Sequence, residues 1–112
     1  MNDLWALPSG DWVVYSDEEG VIKDFKTLAD LEVITSYHGM LTRHRAMQFK
    51  FPGNDDLLRY ICFMTGINYN RAVKLQKRPG TSYQNLFGKE VHQQPLFVDV
   101  SPPRRKGGAR PR

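Results

Sequence analysis

The 112 residues hold 16 lysines and arginines against 12 acids, a net charge of +4, with 40% hydrophobic, 12% aromatic and 25% charged residues. That is an ordinary globular mixture, and a chain of this length can bury a core without metal or disulfide help. The single cysteine, Cys62, excludes an internal disulfide framework; it sits in the apolar run LLRYICFM and reads as a buried thiol. The opening MNDLWALPSGDW has neither a basic nor an apolar signal segment, and no apolar run reaches membrane-spanning length. A soluble, cytoplasmic protein without membrane contact is expected.

Charge is unevenly placed. Residues 1–35 hold eight acids and two lysines; residues 36–100 hold nine bases and four acids; residues 101–112 hold five bases and no acid. A basic middle and tail suit a polyanionic partner, unless the fold mixes the charges on its surface.

In chain order, Trp12–Tyr15 and Val21–Phe25 read as the strands of a β-hairpin, joined by an acidic turn that ends in Gly20. Thr27 and Asp30 match a capping box, and Leu28, Leu31 and Ile34 share a helical face, so a helix is expected from Thr27 to a stop at Gly39. The stretch LEVITSY also alternates as a strand does. Met47, Phe49 and Phe51 alternate with Ala46, Gln48 and Lys50, the pattern of a half-buried strand that Pro52-Gly53 ends. Asn54 caps a core helix, with Asp55 and Asp56 at its positive end and Gly66 as its stop. A second helix is expected over Tyr69–Lys77, ending before Pro79-Gly80. Residues 80–94 give no clear pattern; 95–100 read as a strand. The tail 101–112, SPPRRKGGARPR, has no large apolar residue and is expected to be disordered. The whole reads as one α+β domain over 1–100, a small antiparallel sheet with two or three helices on one face.

The region from Leu58 to Lys77 resembles the helix-turn-helix motif of DNA-binding proteins. Cys62 stands for its small residue, Gly66 for the turn glycine and Ile67 for the apolar residue after it. Ala72 and Leu75 stand for the anchors of the second helix, facing Ile61. The resemblance covers about twenty residues and implies a second helix that lies against nucleic acid. The residues left outward are Asn68, Asn70, Arg71, Lys74, Lys77 and Arg78, and their chemistry suits bases and phosphates. Arg71, Lys74 and Arg78 at this spacing also describe any solvated helix face.

A second cationic group, Arg43, His44, Arg45 and Lys50, could grip phosphate. An RNase-like use, with His38 or His44 as acid or base and an arginine stabilising charge, lacks a second acid or base at a readable spacing, so no enzyme is expected. Arg104, Arg105 and Lys106 in the tail would add a salt-sensitive clamp. No metal-ligand spacing, phosphate loop or dinucleotide fingerprint occurs, so no cofactor is expected. The leading expectation is therefore a small regulatory module that binds DNA or RNA, as a homodimer if it reads a palindrome. The alternative is a non-catalytic inhibitor or adaptor, of the kind phages and mobile elements direct at a host protein or nucleoprotein. Its contacts would be Trp5, Trp12 and the acidic Asp17, Glu18 and Glu19.

Overall fold

The computed structural model describes residues 1–38, 45–88 and 100–107. Four strands, β1 (Asn2–Ala6), β2 (Trp12–Ser16), β3 (Glu32–His38) and β4 (Arg45–Phe51), form one antiparallel sheet in the order β1-β2-β4-β3. The helices among the described residues are α1 (Glu19–Lys26), α2 (Asp55–Thr65), α3 (Tyr69–Ala72) and α4 (Tyr83–Phe87), with a 3₁₀ segment over Val73–Lys77. The chain is an α+β domain, as its scattered strands and helices imply.

Strand alternation puts Leu4, Ala6, Trp12, Val14, Met47, Phe49 and Phe51 on one face. These residues share a single buried cluster with Ile22 and Phe25 of α1, Leu58 and Ile61 of α2, and Ala72, Leu75 and Tyr83 beyond it. Phe25 meets Phe49 edge to face at 5.6 Å, and Trp12 stacks on Phe51 at 6.4 Å. Val13, Gln48, Thr35 and Tyr37 belong to the opposite face.

The expected β4 and α2 are both present. Asn54 Oδ1 accepts from Leu57 N–H at 3.1 Å, and Gly66 ends the helix at φ 76°, where a side chain would be strained. Asn2, buried at the base of β1, donates to the α2 end carbonyl of Thr65 at 3.0 Å and to Glu18 Oε2 at 2.9 Å.

Three expectations are corrected. The partner of β2 is β1, not residues 21–25, which form α1. Val21, Ile22 and Phe25 are buried at helical spacing, with Glu19 in the first turn and Lys23 and Lys26 in the last, which suits the helix dipole. Thr27 closes that helix instead of opening another. Its hydroxyl donates to Asp24 O at 2.6 Å, and the β-branched run after it becomes β3. Residues 101–107 of the tail lie against the domain. Ala29 N–H donates to Arg104 O at 2.9 Å, Lys106 N–H donates to Thr27 O at 2.5 Å, and Leu28 bridges Arg105. The expected strand 95–100 lies outside the described residues except for Val100.

Cys62 is 1% exposed, and burial pushes its thiol up to about 12. Only a thiolate reacts with an aromatic disulfide reagent. The native protein is therefore expected to leave Cys62 unmodified near pH ~8 and to release one thiol equivalent at once in denaturant. Prompt labelling without denaturant would contradict this burial.

Candidate functional site

The residues expected to face nucleic acid part into two groups. Asn70, Lys74, Lys77 and Arg78 are exposed and make no ion pair among the described residues. Lys74 and Lys77 stand three residues apart in a 3₁₀ segment, so they point the same way. Asn68 and Arg71 are used by the fold. Asn68 Oδ1 accepts from Arg71 N–H at 3.1 Å and caps α3; its own N–H donates to Tyr83 Oη at 3.3 Å. Arg71 is half-buried, with its guanidinium 5.5 Å from the Phe87 ring and hydrogen-bonded to Tyr83. Its expected place on an outer face is corrected accordingly. Over Tyr69–Lys77 the chain makes a four-residue α-turn and then a 3₁₀ segment, a geometry that adds nothing to the helix-turn-helix resemblance.

The same division runs through the other cations. Lys50 stands 3.7 Å from Asp11, and Arg45 is exposed at the start of β4. Arg43 and His44 lie outside the described residues. Arg104 pairs with Asp30 at 2.7 Å and Arg105 with Asp24 at 2.7 Å; Lys106 is exposed. Arg104 and Arg105 are therefore spent on the domain's own acids, which turns them from the expected clamp into an internal strap.

Of the residues expected to meet a protein, Trp12 is 1% exposed and sealed in the core, so it is withdrawn as a contact. Trp5 is half-buried on the face of the sheet opposite the buried cluster, beside Val13. Asp17 pairs with the chain's terminal amine, Glu18 accepts from Asn2, and Glu19 is exposed in the first turn of α1.

What sequence reasoning missed is β3. It is an outer strand of the sheet, hydrogen-bonded along β4. The opposite margin, β1, is covered: Gly80 N–H donates to Ala6 O at 2.8 Å, and Gln84 Nε2 donates to Asn2 O at 2.8 Å. Five large apolar side chains are exposed among the described residues, and three belong to β3: Val33 at 41%, Ile34 at 45% and Tyr37 at 47%. A register shift between Val33 and Thr35 leaves Ile34 without a partner on β4. Beside it, the Tyr37 ring lies 6.4 Å from that of Tyr15, and Gln48 donates to the Tyr37 hydroxyl at 3.4 Å. The signal available in the sequence was the run Val33-Ile34-Thr35, which prefers a strand.

Among the described residues, two surface hollows of about 200 and 210 Å³ are small beside ligand pockets, which run from roughly 300 to 1,000 Å³. The first is lined by Leu7, Pro8, Gln76 and Pro79; the second sets Asp11, Asp30 and Glu32 beside Lys50. No helix among the described residues is long and apolar enough to cross a membrane.

At the start of α2, Asp55 accepts from Arg59 Nε at 2.8 Å and from the Tyr69 hydroxyl, while the Arg59 guanidinium stands 4.3 Å over the Tyr69 ring. These donors hold the Asp55 carboxyl below its ordinary value, the Tyr69 bond first. A depressed folded value means that the contribution is complete above the unfolded value and fades as pH falls through the folded one. Asp55→Asn is therefore expected to remove part of the stability loss on acidification and to leave the rest of the curve parallel, measured by urea unfolding across the acid range. Unchanged acid dependence would mean that this contact is idle in solution.

Comparison of the chain with known families, with curated proteins and with solved structures gives no match.

Proposed function

We propose that this chain is a non-catalytic protein-binding module, an adaptor or inhibitor acting in the cytoplasm, that docks on its partner through β3. The observation behind the reading is the contrast between the two margins of the sheet. β1 is covered by the segment from the 3₁₀ turn to α4, whereas β3 presents Val33, Ile34 and Tyr37 to solvent. A long strand margin with apolar side chains is a standing invitation to pair, and folds without a use for one commonly blunt it with lysine or proline. Residues 32–38 contain neither; the register shift at Ile34 is the one such device on this strand, and Val33, Ile34 and Tyr37 stay exposed beside it. A partner strand laid there would gain main-chain hydrogen bonds, with affinity and specificity divided between backbone and side chains.

The test is a photo-crosslinking amino acid at position 34 of the full chain, exposed to extract of the organism that encodes it. A discrete protein adduct is expected, reduced roughly tenfold by Val33→Lys, in keeping with the loss of a central contact. The same crosslinker in place of Lys23 on α1 should give none. Adducts of equal yield from both positions would defeat the reading.

Nucleic-acid binding is kept as a second reading because Lys74 and Lys77 point the same way and, with the exposed Arg78, make no ion pair among the described residues. It requires affinity for mixed-sequence DNA or RNA that falls with salt, at roughly one power of salt for each phosphate neutralised. Replacing the three cations with alanine should flatten that slope. No binding at about 50 mM salt would end this reading, since weak salt is the condition most favourable to it.

A further inference from the structure

We propose that Asp24, Thr27 and Tyr60 form a recognition site for an arginine-bearing extended segment of a partner protein, a site that this chain fills with its own Arg105. This goes beyond the β3 surface and does not depend on it.

The site is built by the two main helices and not by the tail. Asp24 lies on α1, Thr27 is the residue that closes α1, and Tyr60 lies on α2. The Tyr60 hydroxyl donates to Asp24 Oδ2 at 2.6 Å, which fixes the carboxylate and leaves Oδ1 outward. Four acceptors then converge on one guanidinium. Arg105 Nη1 donates to Asp24 Oδ1 at 2.7 Å and to Thr27 Oγ1 at 2.7 Å, with the Asp24 main-chain oxygen at 3.5 Å; Nη2 donates to Tyr60 Oη at 3.1 Å. The Tyr60 ring lies 5.7 Å from the guanidinium carbon. A planar fork meets this set; a lysine, with one compact ammonium, cannot reach both helices in the same way. The guanidinium is in turn held more firmly protonated by Asp24 and Tyr60.

The backbone around it is read as well. Ala29 N–H and Thr27 O pair with Arg104 O and Lys106 N–H, which makes a short antiparallel bridge at Leu28 and Arg105. One residue earlier, Arg104 reaches Asp30 at 2.7 Å. The feature recognised is thus an extended Arg-Arg pair. Pro102 and Pro103 before it favour that extended backbone, and Gly107 turns away after it at φ 85°. Asp24 and Asp30 make the site hostile to phosphate, so a polyanion is excluded as its ligand.

Exchange follows from how the strap is held. Arg104 is 74% exposed and Arg105 45%, and ion pairs this exposed contribute little net stability. No residue of 101–107 belongs to the buried cluster. The strap occupies its site mainly because it is tethered, at an effective concentration of about millimolar. A partner segment that also touches the surrounding surface can take its place.

The test uses the full chain carrying Arg104→Ala and Arg105→Ala, labelled with ¹⁵N and titrated with the peptide Ser-Pro-Pro-Arg-Arg-Lys-Gly. Saturable shifts are expected at amides 24–30 and at Tyr60. Wild type should need at least about fivefold more peptide, because its own strap competes. Adding Asp24→Asn, or replacing both peptide arginines with lysine, should weaken binding by a similar factor. No binding to a well-dispersed variant at millimolar peptide would overturn the proposal, as would equal affinity for variant and wild type. Should the variant lose its dispersion, the same peptide with a paramagnetic label is added to wild type. Broadening of amides 24–30 is then expected, and its absence is equally fatal.

Discussion

Phe49→Ala is expected to lower the unfolding free energy by about 3–5 kcal/mol, read as a shift in the urea midpoint at unchanged slope. Phe49 is fully buried in β4, an inner strand of the sheet, and its ring meets Phe25 of α1 edge to face. Truncation removes a large apolar surface and leaves a cavity between the sheet and α1. Single domains have about 5–15 kcal/mol in all, so the variant should sit near the limit of folding. Gln48, one residue earlier, belongs to the other face, where its amide donates to the Tyr37 hydroxyl. Gln48→Ala should cost less than about 1 kcal/mol. Phe25→Ala should be non-additive with Phe49→Ala by roughly 0.5–1.5 kcal/mol, the worth of the ring pair itself. Equal losses at 48 and 49 would mean that the helices do not cover one face only.

The alternation that exposes Phe49 to this test was legible in the sequence, and the reason is physical. β4 has one core face and one wetter face, so its period of two survives in residue types. α2 was legible for another reason: its cap, its first-turn acids and its stop are all local chemistry. The stretch from Trp12 to Phe25 was not. Val21, Ile22 and Phe25 fit a short strand as well as a helix, and choosing between them needed the knowledge that β2 already had neighbours on both sides, β1 and β4. Thr27 matched the start of a helix by spacing and serves as the end of one. The cations show the sharpest limit. Arg105 and its partner Asp24 stand 81 positions apart, so nothing in the tail's composition could reveal that this arginine already had an acidic partner. Arg71 and Lys74 looked alike as exposed bases, and only the packing of Phe87 and Tyr83 separates them. β3, the outer strand of the sheet among the described residues, was invisible while residues 27–39 read as a helix.

Leu75→Ala is expected to cost about 2–5 kcal/mol, while Lys74→Ala, one residue before it, should stay within about 0.5 kcal/mol. Both lie in the 3₁₀ segment, yet Leu75 is fully buried and Lys74 exposed. Leu75 anchors the flank that runs past β1. That flank then delivers Gly80 N–H to Ala6 O, Gln84 N–H to Asp3 Oδ1 at 2.9 Å and the Gln84 amide to Asn2 O. Each bond is modest by itself, so the segment stays in place largely through the burial of Leu75 beside Ala72 and Tyr83. Loosening it would bare the outer side of β1. The variant should therefore show, besides a lower urea midpoint, light scattering that grows with protein concentration. Light scattering and denaturation on the same samples separate the two effects. A loss below about 1 kcal/mol would mean that the flank is not part of the cooperative unit. β1 would then open as readily as β3, and the contrast that singles out β3 as the docking strand would lose its basis.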